Sequence, residues 1–175
     1  IKDVVHIGIG GSHLGPELVV NALAHLPGSE NAPNIHFVAN IDANDINKAL
    51  LALNPETTLF IVVSKSFSTL ETQVNAATAR SWFLERTCNL RAIGQHFIGV
   101  TTNLEAAAQF GLEARNIFPL WDWVGGRFSL WSAVGLPILL QIGTTAFDQL
   151  LAGARQADEH FVSAPAEQNI PLLSA

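Results

Sequence analysis

The sequence predicts a doubly wound α/β fold, a parallel sheet with helices on both faces. Three observations carry this expectation. Short β-branched or apolar runs alternate along the chain with segments of helical period. The run at 59–63 is almost wholly apolar, as a strand covered on both faces should be. The segments between the runs are long enough for the crossover of roughly a dozen residues or more that a parallel pair requires.

Taken in order, residues 4–9 form a β-branched strand ending in Gly10-Gly11-Ser12, and Pro16 and Glu17 open a helix over 16–23 with a proline and an acid in its first turn. Residues 35–39 read as a second strand. In 42–53, Ile46, Leu50 and Leu53 recur at helical spacing until Asn54-Pro55 stops the pattern. The third strand, 59–63, opens into Ser64-Lys65-Ser66-Phe67-Ser68-Thr69 ahead of a helix over about 70–84. Residues 97–100 give a fourth strand, with Asn103 as N-cap of a helix over 104–110 and Gly111 placed to end it. Residues 117–120 supply a fifth. The remainder is mainly helical, over 129–141 and again over 147–161 after the cap candidates Thr144 and Thr145.

With 175 residues, 49% of them hydrophobic, the chain can bury a sizeable core in one domain, which we expect over 1–161 with a tail over 162–175. In that tail, Asn169-Ile170-Pro171-Leu172-Leu173 has the signature of a helix beginning. The absence of Met and a strand beginning within four residues of the start are read as marks of an excised piece. A formal charge of −6 disfavours a nucleic-acid partner held by a basic face. No uninterrupted apolar run approaches the roughly 18 to 20 residues of a membrane span, so no membrane partner is expected. A single cysteine, Cys88, allows no internal disulfide, and no Cys/His spacing resembles a zinc site, so a cytoplasmic location and no metal are the expectations.

In doubly wound sheets ligands lie beyond the carboxyl ends of the strands, where the two most unusual loops fall. The first, Gly8-Ile9-Gly10-Gly11-Ser12-His13-Leu14-Gly15, suits either an anion cradled by backbone N–H groups or a tight turn whose glycines serve packing. It is not a dinucleotide fingerprint, because His13 stands in the third glycine position, and no Gly-Lys-Ser/Thr completes a Walker loop. The second loop places five hydroxyl side chains, Ser64, Ser66, Ser68, Thr69 and Thr72, beside Lys65. One hydroxyl would be explained by capping. Several, with free helix N–H groups, match the oxygens of a phosphomonoester. Hydrogen bonds to a charged group contribute on the order of 1.5–3 kcal/mol each, so three or four could hold a sugar phosphate without an arginine.

Three segments together resemble the glucose-6-phosphate isomerase family: Ile7-Gly8-Ile9-Gly10-Gly11-Ser12 with Leu14-Gly15-Pro16, the stretch from Ser64 to Thr72, and Trp121-Asp122-Trp123-Val124-Gly125-Gly126-Arg127-Phe128-Ser129-Leu130-Trp131-Ser132. They occur in the family's order, and the resemblance covers essentially the whole chain. It implies a sugar isomerase (SIS) domain, a five-stranded parallel sheet in a flavodoxin-like three-layer sandwich, the first of two such domains in the enzyme. It implies that the Ser64, Ser66 and Thr69 hydroxyls and the Lys65 backbone amide bind the substrate phosphate, within a substrate-binding set that also takes in Phe67, Ser68 and Thr72 of the same loop. Gly11 and Ser12 are implied to contact the sugar or to shape its pocket. Arg127 is implied as the catalytic group that stabilises a cis-enediol intermediate as a proton moves between C1 and C2, a role suited to a guanidinium that stays charged. No cofactor is implied. The implied partners are the hexose 6-phosphate, a second SIS domain of the same polypeptide, and a second copy in a homodimer.

The family's general-base glutamate and its ring-opening histidine and lysine have no counterpart in this chain, so the fragment is expected to turn over hardly at all. Glu71 is no substitute merely because it is a carboxylate. His13 stands where an aspartate is usual, and Ser66 and Ser68 replace threonines. His13 is read as a neutral, solvent-facing residue or as a group altering charge near the pocket with pH. The other histidines are read as structural, and Trp121, Trp123 and Trp131 as core and domain-interface anchors. Two other readings stay open: a sugar-phosphate-sensing module of the same fold, and a nicotinamide-dependent dehydrogenase binding NAD at 8–15.

Overall fold

A computed structural model describes residues 1–26 and 31–175 of the chain. Its centre is a parallel sheet of β1 (Asp3–Ile7), β2 (Asn34–Val38), β3 (Thr58–Val63), β4 (Phe97–Thr101) and β5 (Ile117–Pro119), in the spatial order β2-β1-β3-β4-β5. The order reverses beside β1, so β1 and β3 lie side by side and their carboxyl ends open onto one crevice, with Asp3 opposite Thr58 and Ile7 opposite Val62. The doubly wound fold is as the sequence predicts.

Alternation along the strands divides the core into two layers. On one face Val5, Ile7, Phe60, Val62 and Phe97 meet α2 (Ala43–Leu50), α3 (Leu70–Thr87) and α5 (Leu104–Phe110) through Ile46, Leu50, Ala76, Ala79, Phe83 and Ala107. Phe60 stacks on Phe97 at 4.5 Å, and Phe83 meets both edge-on, pairs that add about 0.5–1.5 kcal/mol each beyond the area they bury. On the other face Val4, Ile61, Val63 and Val100 pack under Val134, Leu136 and Leu140 of the chain entering α6 (Leu136–Ser163). The helix α1 (Leu14–Leu23) lies against α6.

The local signals hold well. Asn103 caps α5 by accepting from the Ala106 N–H, and Gly111 ends that helix in the left-handed region. Asn169 caps α7 (Ile170–Leu173). The sequence missed α4 (Ile93–His96), a single turn feeding β4.

Several boundaries are corrected. Ile9 is not part of β1, since the strand ends at Ile7 and residues 10–12 form a 3-10 turn. The α2 helix stops at Leu50, three residues before Leu53. Residues 129–135 are not α-helical: two 3-10 turns occupy Gly126–Trp131 and Ala133–Gly135, and the helix begins at Leu136, where Pro137 suits a first turn. The two expected terminal helices are both present within Leu136–Ser163, divided at Gly143 (φ 78°, ψ 168°), immediately before Thr144 and Thr145.

One stretch of 133–163 is long and apolar enough to cross a membrane by length and composition. Its first half rests on the sheet, with Ile138 fully buried, and its second half carries Asp148, Arg155, Asp158 and Glu159. That distribution suits a helix with one face on a core and the other in water.

Candidate functional site

The hydroxyl-rich loop leaves β3 as a tight turn. The Ser64 N–H donates to the Val100 carbonyl at 3.1 Å and carries the β3–β4 pairing one residue onward, while the Phe67 N–H closes the turn on the Ser64 carbonyl. Phe67 adopts φ 53° and buries its ring, 4% exposed, edge-on against Phe110. This apolar anchor turns the flanking serines outward. Phe67, a member of the expected binding set, thus turns its side chain into the core and leaves its backbone at the turn.

The Lys65 carbonyl is held by three donors from the end of β4: the Thr102 N–H at 2.9 Å, Thr101 Oγ1 at 2.9 Å and Thr102 Oγ1 at 2.7 Å. Asn103 Nδ2 donates to the Ser66 carbonyl and Gln73 Nε2 to that of Phe67. The loop is thus fixed from both sides with its hydroxyls left over. Ser64 Oγ and Thr69 Oγ1 share a hydrogen bond of 3.2 Å, and Ser68 Oγ donates to Ser66 Oγ at 2.7 Å.

Thr69 occupies the N-cap position of α3, yet its side chain makes no cap hydrogen bond. Thr72 Oγ1, in the first turn of that helix, is buried without a hydrogen-bond partner among the described residues. Capping does not account for these hydroxyls. An orphaned hydroxyl costs about 1–3 kcal/mol of desolvation, which a ligand oxygen would offset. Both groups border a cleft of about 440 Å³ that Ser12 and Ile9 close from the β1 side and Ser64 and Ser66 from the β3 side.

The structure places Gly11 and Ser12 in the 3-10 turn after β1, and Ser12 is positioned by an unexpected partner. His6 Nε2 donates to the Ser12 carbonyl at 2.6 Å from the middle of the sheet. The ring is fully buried and its Nδ1 has no partner among the described residues, so protonation there would leave an N–H unsatisfied in the core. Burial accordingly lowers its pKa from 6.5 to about 4, with nearby His13 adding to the shift and the Ser12 carbonyl opposing it. A histidine in the interior of a two-sided strand was the available signal, as was the Thr101-Thr102 pair at a strand's carboxyl end.

His13 is not solvent-facing. Its side chain is 13% exposed, bonded to Glu17 Oε2 at 3.1 Å and edge-on to Phe37. Nor are the three tryptophans in the core of this chain: Trp121 and Trp123 stack on each other at 5.7 Å with Trp123 81% exposed, and Trp131 is also exposed. His36, His96 and His160 make structural hydrogen bonds, to Asp3, to the Thr58 carbonyl and from the Ile170 N–H.

A second cavity of about 100 Å³ adjoins the first, with Ser12 and Lys65 common to both and Gly125, Gly126 and Val124 on its far side. The Gly125-Gly126-Arg127 segment thus comes to the mouth of the cleft. Arg127 itself is exposed, and its guanidinium makes no hydrogen bond or ion pair to a described residue. The structure brings Ser12, Ser64, Lys65, Ser66, Thr69 and Thr72 to one cleft and Gly11 to its border; it leaves Ser68 one hydrogen bond away, and Arg127 outside the lining.

The family model for phosphoglucose isomerase matches residues 1–175. A glucose-6-phosphate isomerase from Methylococcus capsulatus is 54% identical over 173 residues, 99% of this chain and 31% of the relative, and one from Hahella chejuensis matches at the same identity and coverage. The crystal structure of a glucose-6-phosphate isomerase from Chlamydia trachomatis superposes with a TM-score of 0.84 at 35% identity, covering 99% of this chain and 33% of that one. The chain spans about a third of the length of these relatives. Matched along its whole length in sequence and in fold, it belongs to the phosphoglucose isomerase family.

Proposed function

We propose that this chain is the sugar-phosphate-binding domain of a glucose-6-phosphate isomerase. The complete protein interconverts D-glucose 6-phosphate and D-fructose 6-phosphate through a cis-enediol intermediate, in glycolysis and gluconeogenesis, in the cytoplasm. The observation that carries the reading is the convergence of hydroxyls on one cleft at the sheet's crossover point, including the buried, unpartnered Thr72 Oγ1 and the uncapping Thr69.

In this reading the phosphate lies on Ser64, Ser66, Thr69 and the Lys65 amide, with Thr72 and Ser68 behind them, while Ser12 and Gly11 border the sugar. Arg127 swings from its exposed position over the sugar carbons and offsets the charge that develops on the enediolate; as a permanent cation it does so without competing as an acid. The general base and the groups that open the sugar ring come from elsewhere in the polypeptide. Loss of a general base alone typically costs about 10²- to 10⁴-fold. The chain by itself therefore binds substrate and hardly turns it over. Residues 1–161 make up the domain, residues 162–175 lead toward the second SIS domain, and the complete enzyme is a homodimer acting without a cofactor.

Thermal unfolding of the chain with candidate ligands tests this. Glucose 6-phosphate or 6-phosphogluconate should raise the unfolding temperature and NAD should not, and Ser66→Ala with Thr69→Ala should abolish the shift while leaving the fold intact. Stabilisation by NAD alone would point instead to a dehydrogenase.

A further inference from the structure

Lys65 is the one cation of the hydroxyl-rich loop, and its ammonium is engaged elsewhere. Nζ donates a 2.6 Å hydrogen bond to the main-chain carbonyl of Asp122, 57 residues away in sequence. The base of this side chain cannot drift, because the Lys65 carbonyl is tied to the end of β4 through Thr101 and Thr102. Its tip lands on a turn that the Val124 N–H closes on the Trp121 carbonyl at 2.9 Å. The carbonyl of Asp122, at the centre of that turn, takes its donor from Lys65.

Beyond the turn the chain runs through Gly125 and Gly126, the latter at φ 57°, to Arg127. Two glycines in succession do little to fix their own conformation. What holds the segment is external: the backbone of Gly126 rests against Gly11, buried Val124 plugs the base, and the Lys65 ammonium grips the turn. Lys65 thereby connects the loop that takes the phosphate to the loop that carries the arginine, and it borders both cavities.

We propose that the Lys65 side chain is a positioning residue for Arg127: it sets the distance between the phosphate-binding loop and the turn bearing the guanidinium, so that a substrate anchored by its phosphate presents its sugar carbons to Arg127. This rests on the isomerase reading above and extends it, the backbone amide of Lys65 serving the phosphate and the ammonium serving the arginine.

The test is steady-state isomerase kinetics on the complete enzyme, with wild type, Lys65→Met, Lys65→Arg, Arg127→Ala and the Lys65→Met/Arg127→Ala double variant. Misplacing a reacting group by about 1 Å can cost on the order of 100-fold, so Lys65→Met should lower kcat by about 10- to 100-fold, with KM for the hexose phosphate held within about threefold. Lys65→Arg, which can still donate to the Asp122 carbonyl, should recover most of the rate. In the Arg127→Ala background the Lys65→Met change should cost almost nothing further, because its effect passes through the arginine. A tenfold or greater rise in KM with kcat intact would make the ammonium a phosphate ligand and overturn the proposal, as would fully additive losses in the double variant or a silent Lys65→Met in active enzyme. Wild-type enzyme that fails to interconvert the two hexose phosphates would instead overturn the isomerase reading, and this proposal with it.

Discussion

Gly11 and Gly126 meet backbone to backbone: a Cβ added to Gly11 would lie 2.8 Å from the Gly126 Cα and closer still to its carbonyl oxygen. The neighbour is peptide, not a side chain that can rotate away. Gly11→Ala should therefore force the 125–127 segment off the β1 loop, at about 1–3 kcal/mol in urea unfolding and with loss of the glucose 6-phosphate shift. An alanine variant of unchanged stability and ligand response would show that the two turns can separate freely.

Thr72→Val separates stability from binding. Because Thr72 Oγ1 is buried without a partner, replacing the hydroxyl by a methyl group should leave the free chain unchanged or more stable by up to about 1 kcal/mol. Affinity for hexose 6-phosphate, measured by calorimetry, should fall by roughly 10-fold or more if that hydroxyl reaches a charged oxygen.

Stability should depend on pH through His6. Its folded pKa of about 4 lies below the ordinary 6.5, so between these values the unfolded chain binds the extra proton and folding weakens as the pH falls. The full difference corresponds to roughly 3 kcal/mol, present above about pH 6.5 and lost as the pH approaches 4. Denaturant midpoints across this window should show the slope, and His6→Gln, which keeps a donor for the Ser12 carbonyl, should flatten it. Equal slopes in the two proteins would assign the effect to other groups.

At Gly143 the backbone takes φ 78° and ψ 168°, a region essentially confined to glycine. No atom of the described residues lies within 4 Å of where its Cβ would be, so the penalty for Gly143→Ala is conformational and not steric. We expect a loss of about 1–3 kcal/mol in thermal or chemical unfolding, with ligand binding unaffected. Retained stability would mean that the break in α6 closes into continuous helix.

How much of this was legible in the sequence depends on the range of the interaction concerned. Asn103, Asn169 and Gly111 were readable as helix boundaries because each acts on backbone groups a few residues away. Within the expected helix over 129–141 only 136–141 is helical: the apolar spacing of 129–135 suits a helix, while its backbone is drawn into 3-10 turns, the first of which packs against the glycine turn after β1. Phe67, set among the hydroxyls of the expected binding loop, is the buried anchor of the turn, a place its sequence neighbours do not reveal.

Alternating apolar runs, crossover lengths and caps were enough to specify a parallel α/β sheet and to put two polar loops at its carboxyl edge, since strand burial and helix boundaries are written in neighbouring residues. Which hydroxyls stay unpartnered, how His6 supports Ser12, and that Lys65 reaches Asp122 follow from the strand order, which places β1 beside β3 and β4 beside β5. Those contacts join segments distant in sequence, and no local propensity encodes which distant backbone will lie within hydrogen-bonding reach.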